Sequence, residues 1–210
     1  MNRFEDMSKL LQEGNARELT ALVKTELEEG TEASDILTKA LIPGMSIVGE
    51  QFKNDEIFVP EVLLTARAMN GALRILKPVL AAQGVEPIGK AVICTVRGDM
   101  HDIGKNLVKM MIEGTGISVI DLGTDCPAEA IIDAVREYQP RIVCLSALLT
   151  TTMTEQKNVI EALKEAGLRD SVKVMVGGAP VTQEYADAIG ADAYTPDAAT
   201  AADVARSFFD

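Results

Sequence analysis

From Lys90 to the C-terminus, short and nearly continuous apolar runs alternate with helix-patterned stretches in strict order, and few folds accommodate that pattern. The runs are Ala91 to Val96, Ile117 to Leu122, Ile142 to Leu145, Val172 to Val176 and Ala191 to Tyr194. Runs that short, without polar alternation, suit parallel strands covered on both faces. Helical patterns fall between and after them, near 104 to 114, 127 to 138, 153 to 167, 181 to 189 and 198 to 208. Five strands alternating with five helices predict a doubly wound parallel sheet, with the common strand order 2-1-3-4-5.

The first 80 or so residues read differently. Leu19, Leu22, Val23 and Leu27 share one helical face, as do Val62, Leu63, Ala66, Met69, Leu73 and Leu76. Gly14, Gly30 and Gly44 punctuate the pattern, Pro43 and Pro60 suit first helical turns, and Pro78 is expected to close the last helix. The predicted organisation is a helical bundle over 1–85, a linker near 81–89, and the α/β domain over 90–210. Nothing resembles a signal peptide or a membrane span, so a soluble, cytoplasmic chain is expected. Cys94, Cys126 and Cys144 are scattered without a C-x-x-C pair, which encodes neither a disulfide framework nor a zinc site. The formal net charge of -12 argues against nucleic acid and anionic membranes as partners.

Ligands of open α/β sheets bind outside the carboxyl ends of the strands, where the strand order reverses. Three loops fall there: Gly98-Asp99-Met100-His101-Asp102-Ile103-Gly104, Ser146 to Thr152, and Gly177-Gly178-Ala179-Pro180. Taken singly, a glycine pair is also explained by a turn and a hydroxyl cluster by a helix cap. Together they offer the chain's single histidine, a neighbouring carboxylate to orient it, hydroxyls, and backbone free of side chains. A phosphate loop does not fit: the glycine spacing is one residue too long, Asn106 stands where a hydroxyl is needed, and Asp99 and Asp102 repel phosphate. A phospho-receiver fails because Ser146 occupies the position of the acceptor aspartate.

Asp99-x-His101-x-x-Gly104, then Ser146-x-Leu148 after 41 intervening residues, then Gly177-Gly178 after 28 more, resembles the cobalamin-binding signature of methionine synthase and the small corrinoid proteins. Gly49-Glu50-Gln51-Phe52 and Phe58-Val59-Pro60 are similar to the helical cap of that family, so the likeness spans almost the whole chain. It implies a Rossmann or flavodoxin-like binding domain behind a helical cap, and a base-off, histidine-on cobalamin. In that likeness His101 is the cobalt ligand, and Asp99 and Thr152 form its proton relay. The remainder of Gly98 to Gly104 (Gly98, Met100, Asp102, Ile103, Gly104), with Ser146, Leu148 and Thr150, would line the cofactor. Gly177 and Gly178 would leave room for its nucleotide tail, and Phe52 and Val59 would cover the methyl group. Val59 stands where leucine is common and Cys126 where valine is usual.

The implied function is a methyl carrier, not a catalyst by itself. It would accept a methyl group on Co(I) from a donor-specific methyltransferase of the methylamine, methanol, betaine or aryl methyl ether class. It would then present methyl-Co(III) to a second methyltransferase acting on tetrahydrofolate or a thiol, with a reductive activator as a further partner. A cobalamin-dependent sensor and the small subunit of a cobalamin-dependent mutase are the alternatives. The sensor would need an output element, which the sequence does not display, and the mutase would not need a methyl cap.

Overall fold

A computed structural model describes residues 3–210. The chain separates into two compact units, one running to Pro87 and taking in Gly114–Gly116, the other comprising Ile88–Glu113 and Ile117–Asp210.

The first unit is helical: α1 (Arg3–Gln12), α2 (Ala16–Glu28), α3 (Ala33–Ile36), α4 (Ile42–Lys53) and α5 (Val59–Ala82). Leu19 and Val23 of α2 and Val62, Ala66, Met69, Leu73 and Leu76 of α5 are buried, as the helical spacing predicts, whereas Leu63 is 40% exposed. Two sequence expectations change. Pro78 lies inside α5, and the helix runs on to Ala82 and a left-handed Gly84, where the Val85 N–H returns to the Leu80 carbonyl at 2.9 Å. Glycine relieves the strain of that closing turn, so the helix ends there and not at the proline. Gly44 is a buried residue within α4, where an added Cβ would lie 2.9 Å from Ser8 Oγ, so it serves the close approach of α1. Leu37–Leu41, joining α3 to α4, is a π turn. Pro43 is the second residue of α4, lacks an N–H and would press its ring on the carbonyl of Lys39 four residues back, which the wider turn relieves.

The second unit holds a five-stranded parallel sheet in the order β2-β1-β3-β4-β5. Its elements are β1 (Lys90–Thr95), α6 (Ile103–Gly114), β2 (Ser118–Asp121), α7 (Ala128–Tyr138), β3 (Ile142–Ser146), α8 (Met153–Glu165), β4 (Lys173–Gly177), α9 (Gln183–Ile189), β5 (Ala193–Tyr194) and α10 (Ala198–Ser207). The predicted order and alternation hold. Central β1 buries Ala91, Val92, Ile93 and Cys94, while edge strand β2 is half-buried. Cys94, Cys126 and Cys144 are all free thiols in buried positions. The last strand is shorter than predicted because the Ala191 N–H bonds the Ala186 carbonyl at 3.0 Å and so closes the turn after α9.

Register is what positions the site. Thr95 pairs with Ser146 and Ser146 with Gly177, so the loops leaving β1, β3 and β4 start at one level of the sheet. At Gly178 φ is +128°, and a Cβ there would lie 1.9 Å from the Ala147 carbonyl oxygen. The β3 and β4 loops therefore pass in backbone contact that only glycine permits.

Asp192 ties β4 to the segment before β5. It accepts from Arg169 Nη2 at 2.7 Å, Lys173 Nζ at 3.1 Å and the Val174 N–H at 2.8 Å. Burial raises its pKa, but the Val174, Lys173 and Arg169 bonds outweigh this and hold the carboxyl below the usual range. A depressed carboxylate stabilises the fold above its unfolded pKa, and that contribution fades as pH falls through the folded value. Asp192→Asn is expected to cost about 1–2 kcal/mol in urea unfolding at neutral pH, with the difference from the parent shrinking in acid.

Candidate functional site

β1 delivers Thr95 to the sheet edge, and the chain then turns through Gly98, whose φ of +80° suits glycine. The turn places Asp99 in the interior at 0% exposure. A carboxylate buried so completely needs donors on both oxygens. Its Oδ1 accepts from His101 Nδ1 at 2.7 Å and from the His101 N–H at 3.1 Å. Its Oδ2 accepts from Thr152 Oγ1 at 2.8 Å and from the N–H groups of Leu148 at 2.7 Å and Leu149 at 3.3 Å. Burial alone would raise the Asp99 pKa, but the bonds from His101, Leu148 and Thr152 hold the carboxyl well below the usual range.

An ionised carboxylate has no proton to donate, so the hydrogen of the Asp99–His101 bond sits on Nδ1 and the lone pair on Nε2. The His101 side chain is 52% exposed. Its backbone is pinned at both ends: the Thr95 hydroxyl donates to the His101 carbonyl at 2.7 Å, and its N–H is held by Asp99. For the neutral ring the result is one imidazole of fixed tautomer whose Nε2 has no partner among the described residues. Among the described residues no group of three or more His, Cys, Asp or Glu side chains could hold a metal ion.

The other expected residues fall in different surroundings. Met100 and Ile103 are 70% and 72% exposed, and Leu148 and Leu149 stand beside the loop at 40% and 42%. So much exposed apolar surface around one polar group is unusual. Gly104 opens α6 with nothing near its missing Cβ. Asp102 and Thr150 are exposed, Asp102 accepting from Asn106 Nδ2 at 3.2 Å, and Ser146 ends β3 half-buried. The absent side chain of Gly178 is accounted for locally by the Ala147 carbonyl, and Gly177 faces the Thr195 carbonyl, 3.3 Å from an added Cβ. Phe52, half-buried on α4, and Val59, 36% exposed at the start of α5, belong to the helical unit.

Several contributors escaped the sequence reading. Asp125, in a left-handed turn after β2, accepts from the Gly98 N–H at 2.7 Å, and its own N–H donates to the Asp99 carbonyl at 2.9 Å. An aspartate two residues past a glycine, outside a strand end, was the available signal. Lys105, 3% exposed, donates to both Asp121 oxygens at 2.7 and 2.8 Å and so fastens the start of α6 to the end of β2. Thr95 and the Leu149 N–H carry no signal of their own.

Comparison with known proteins agrees with this architecture. The B12 binding domain family matches residues 89–205, and a second B12 binding domain family matches residues 3–77. The chain is 46% identical over 180 residues to trimethylamine corrinoid protein 1 of Methanosarcina acetivorans, covering 84% of this chain and 83% of the relative. It is 41% identical over 209 residues to a corrinoid protein of Desulfitobacterium hafniense, covering 98% and 97%. Among solved structures it superposes on the methanol:cobalamin methyltransferase complex of Methanosarcina barkeri with a TM-score of 0.89 and 30% identity, covering 99% of this chain and 79% of that one. The chain belongs to the B12-binding corrinoid proteins of methyltransferase systems.

Proposed function

We propose that this chain carries a methyl group on a cobalamin held base-off and histidine-on, with His101 as the protein's ligand to cobalt. The observation that carries the reading is the Asp99 carboxylate, which spends one oxygen on His101 Nδ1 and the other on Thr152, Leu148 and Leu149. That arrangement leaves Nε2 as the free ligand atom. A lone imidazole cannot hold a bare metal ion tightly, but it would suit a metal whose other ligands come from a macrocycle. The exposed apolar side chains of Met100, Ile103, Leu148 and Leu149 suit the underside of a large ring, and the open space at Gly104 lets it approach. The residues present therefore fit the group.

When bound, the corrinoid supplies a cobalt centre able to take up and give off a methyl group. The chain's own part would be to hold that centre through His101 Nε2 and to let it go. While His101 is bound, the Asp99 bond raises the basicity of Nε2 and holds the ring in one orientation. When His101 lets go, Nε2 can take up a proton, and the buried carboxylate stabilises the imidazolium that results. Thr152 supports Asp99 by donating to its other oxygen, so the negative charge stays on the carboxylate throughout. Donors of the methylamine and methanol class are favoured by the relatives' names. A donor-specific methyltransferase would load the methyl group, a second would pass it to tetrahydrofolate or a thiol, and a reductive activator would restore the carrier after oxidation. No helix among the described residues is long and apolar enough to cross a membrane.

Because His101 is the only histidine, 15N-histidine labels the proposed ligand alone. In the paramagnetic cobalt(II) form, the nitrogen splitting in the electron paramagnetic resonance spectrum is expected to change from a triplet to a doublet on labelling. An unchanged triplet would assign the lower ligand to the cofactor's own base. Asp99→Asn keeps the shape but loses the charge, and is expected to weaken cobalamin retention about 10–100-fold by equilibrium dialysis. For the carrier role itself, protein loaded with cobalamin and mixed with the matching methyltransferase should take up label from methyl-labelled methylamine or methanol and pass it to an acceptor. Normal loading with no transfer to any acceptor would overturn that role.

A further inference from the structure

Gln156 stands on α8 with 0% exposure. Its Nε2 donates to the Leu145 carbonyl at 2.9 Å and the Gly177 carbonyl at 3.2 Å, bridging the ends of β3 and β4. Those two acceptors fix the orientation of the amide, since turning it over would set Oε1 against two carbonyl oxygens. Gln156 Oε1 is thereby a committed acceptor, and it is the buried side-chain atom that finds no partner among the described residues. Val159 and Ile160 of the same helix, with Leu145, Val174 and Val176 of the two strands that Gln156 bridges, belong to one buried apolar cluster and offer no side-chain donor. A buried carbonyl oxygen without a donor is costly, and it marks a place where something outside the protein's own side chains is to bind. The carbonyls that hold Gln156 also place it, because Leu145 immediately precedes Ser146 and Gly177 opens the glycine pair. Both are at the strand ends that frame His101.

Resting on the reading that His101 takes the lower position of a bound cobalamin, the geometry points to Gln156 Oε1 as the acceptor for a sugar hydroxyl on the cofactor's nucleotide arm. The amides on the corrin rim would lie with the exposed apolar side chains at the surface, whereas Gln156 is wholly enclosed. Of the parts of cobalamin, the nucleotide arm is the one long enough to leave the ring and turn inward, and it is free to do so once an imidazole displaces its base. Within that arm the phosphate and the substituted benzimidazole only accept hydrogen bonds. The sugar hydroxyls donate, as does the amide N–H that joins the arm to the ring, but that amide is kept in cobinamide and stays close to the ring. The hydroxyls are the neutral donors that can reach a neutral acceptor in an apolar interior.

The test is a cycle of two proteins and two corrinoids, using the full chain and equilibrium binding. Cobinamide keeps the corrin ring and its amides but lacks the sugar, phosphate and base. Gln156→Met is expected to weaken cobalamin about tenfold while changing cobinamide by less than about twofold, the size of one lost hydrogen bond in a buried site. Equal weakening of both corrinoids would make Gln156 a packing residue or a partner of the linking amide and not of the sugar, and no weakening of either would leave its oxygen to an internal water. Either result overturns the assignment while the cobalamin reading stands. If the parent protein bound neither corrinoid, that reading would fall and the assignment with it. Should Gln156→Met not fold, Gln156→Asn repeats the cycle with the amide withdrawn by one methylene.

Discussion

The Asp99 carboxylate is the interaction on which the site depends. It is a charge at 0% exposure, and such a charge is tolerated only where both oxygens are fully bonded. The donors come from two segments about 50 residues apart, the loop after β1 and the loop after β3. They meet because β1 and β3 are neighbours in register, with Thr95 opposite Ser146. Shifting that register by one residue would carry Leu148 and Thr152 away from the carboxylate and leave it uncompensated. Sheet topology and imidazole tautomer are thus parts of one constraint.

The surrounding backbone is built to the same tolerance. Gly178 lets the β4 loop lie against Ala147, and Asp125 fixes Gly98 and the Asp99 carbonyl from the other side. Lys105 and Asp121 secure the first turn of α6 to β2. The aspartate therefore reaches its position through a cradle contributed by four consecutive neighbours in the sheet, β2, β1, β3 and β4. Much of the apolar surface around it remains exposed, which is the expected balance for a rigid polar anchor inside a broad hydrophobic landing area.

Much of this was legible in the sequence, for identifiable reasons. Buried parallel strands produce apolar runs, so the five strands and their order could be read, while their ends shift by a residue or two, most at the last strand, which begins at Ala193 after a helix-closing bond claims Ala191. Punctuating residues misled twice: Pro78 sits within a helix that continues for another turn, and Gly44 is a packing contact and not a break. At the site, Asp99, His101 and Thr152 were marked by their resemblance to a known signature, and the structure brings all three within hydrogen-bonding distance. The main-chain N–H of Leu149 and the left-handed turn at Asp125 left no comparable trace. Every residue has an amide, so a backbone donor is visible only when the fold aims it. Gln156 shows the same limit, since a glutamine in a helix looks like a surface residue until its burial is known.

The two bonds that pin the backbone of His101 also restrict how it can move. With its carbonyl held by Thr95 and its N–H by Asp99, the loop cannot swing as a lever to carry the imidazole away. Nδ1 is bonded to the same carboxylate that holds the N–H, so main chain and ring are anchored to one buried group. Side-chain torsions relax in picoseconds to nanoseconds and loops far more slowly, so the main chain behaves as a stationary bearing, and any turn of the imidazole about its own bonds must first break the Nδ1–Asp99 bond.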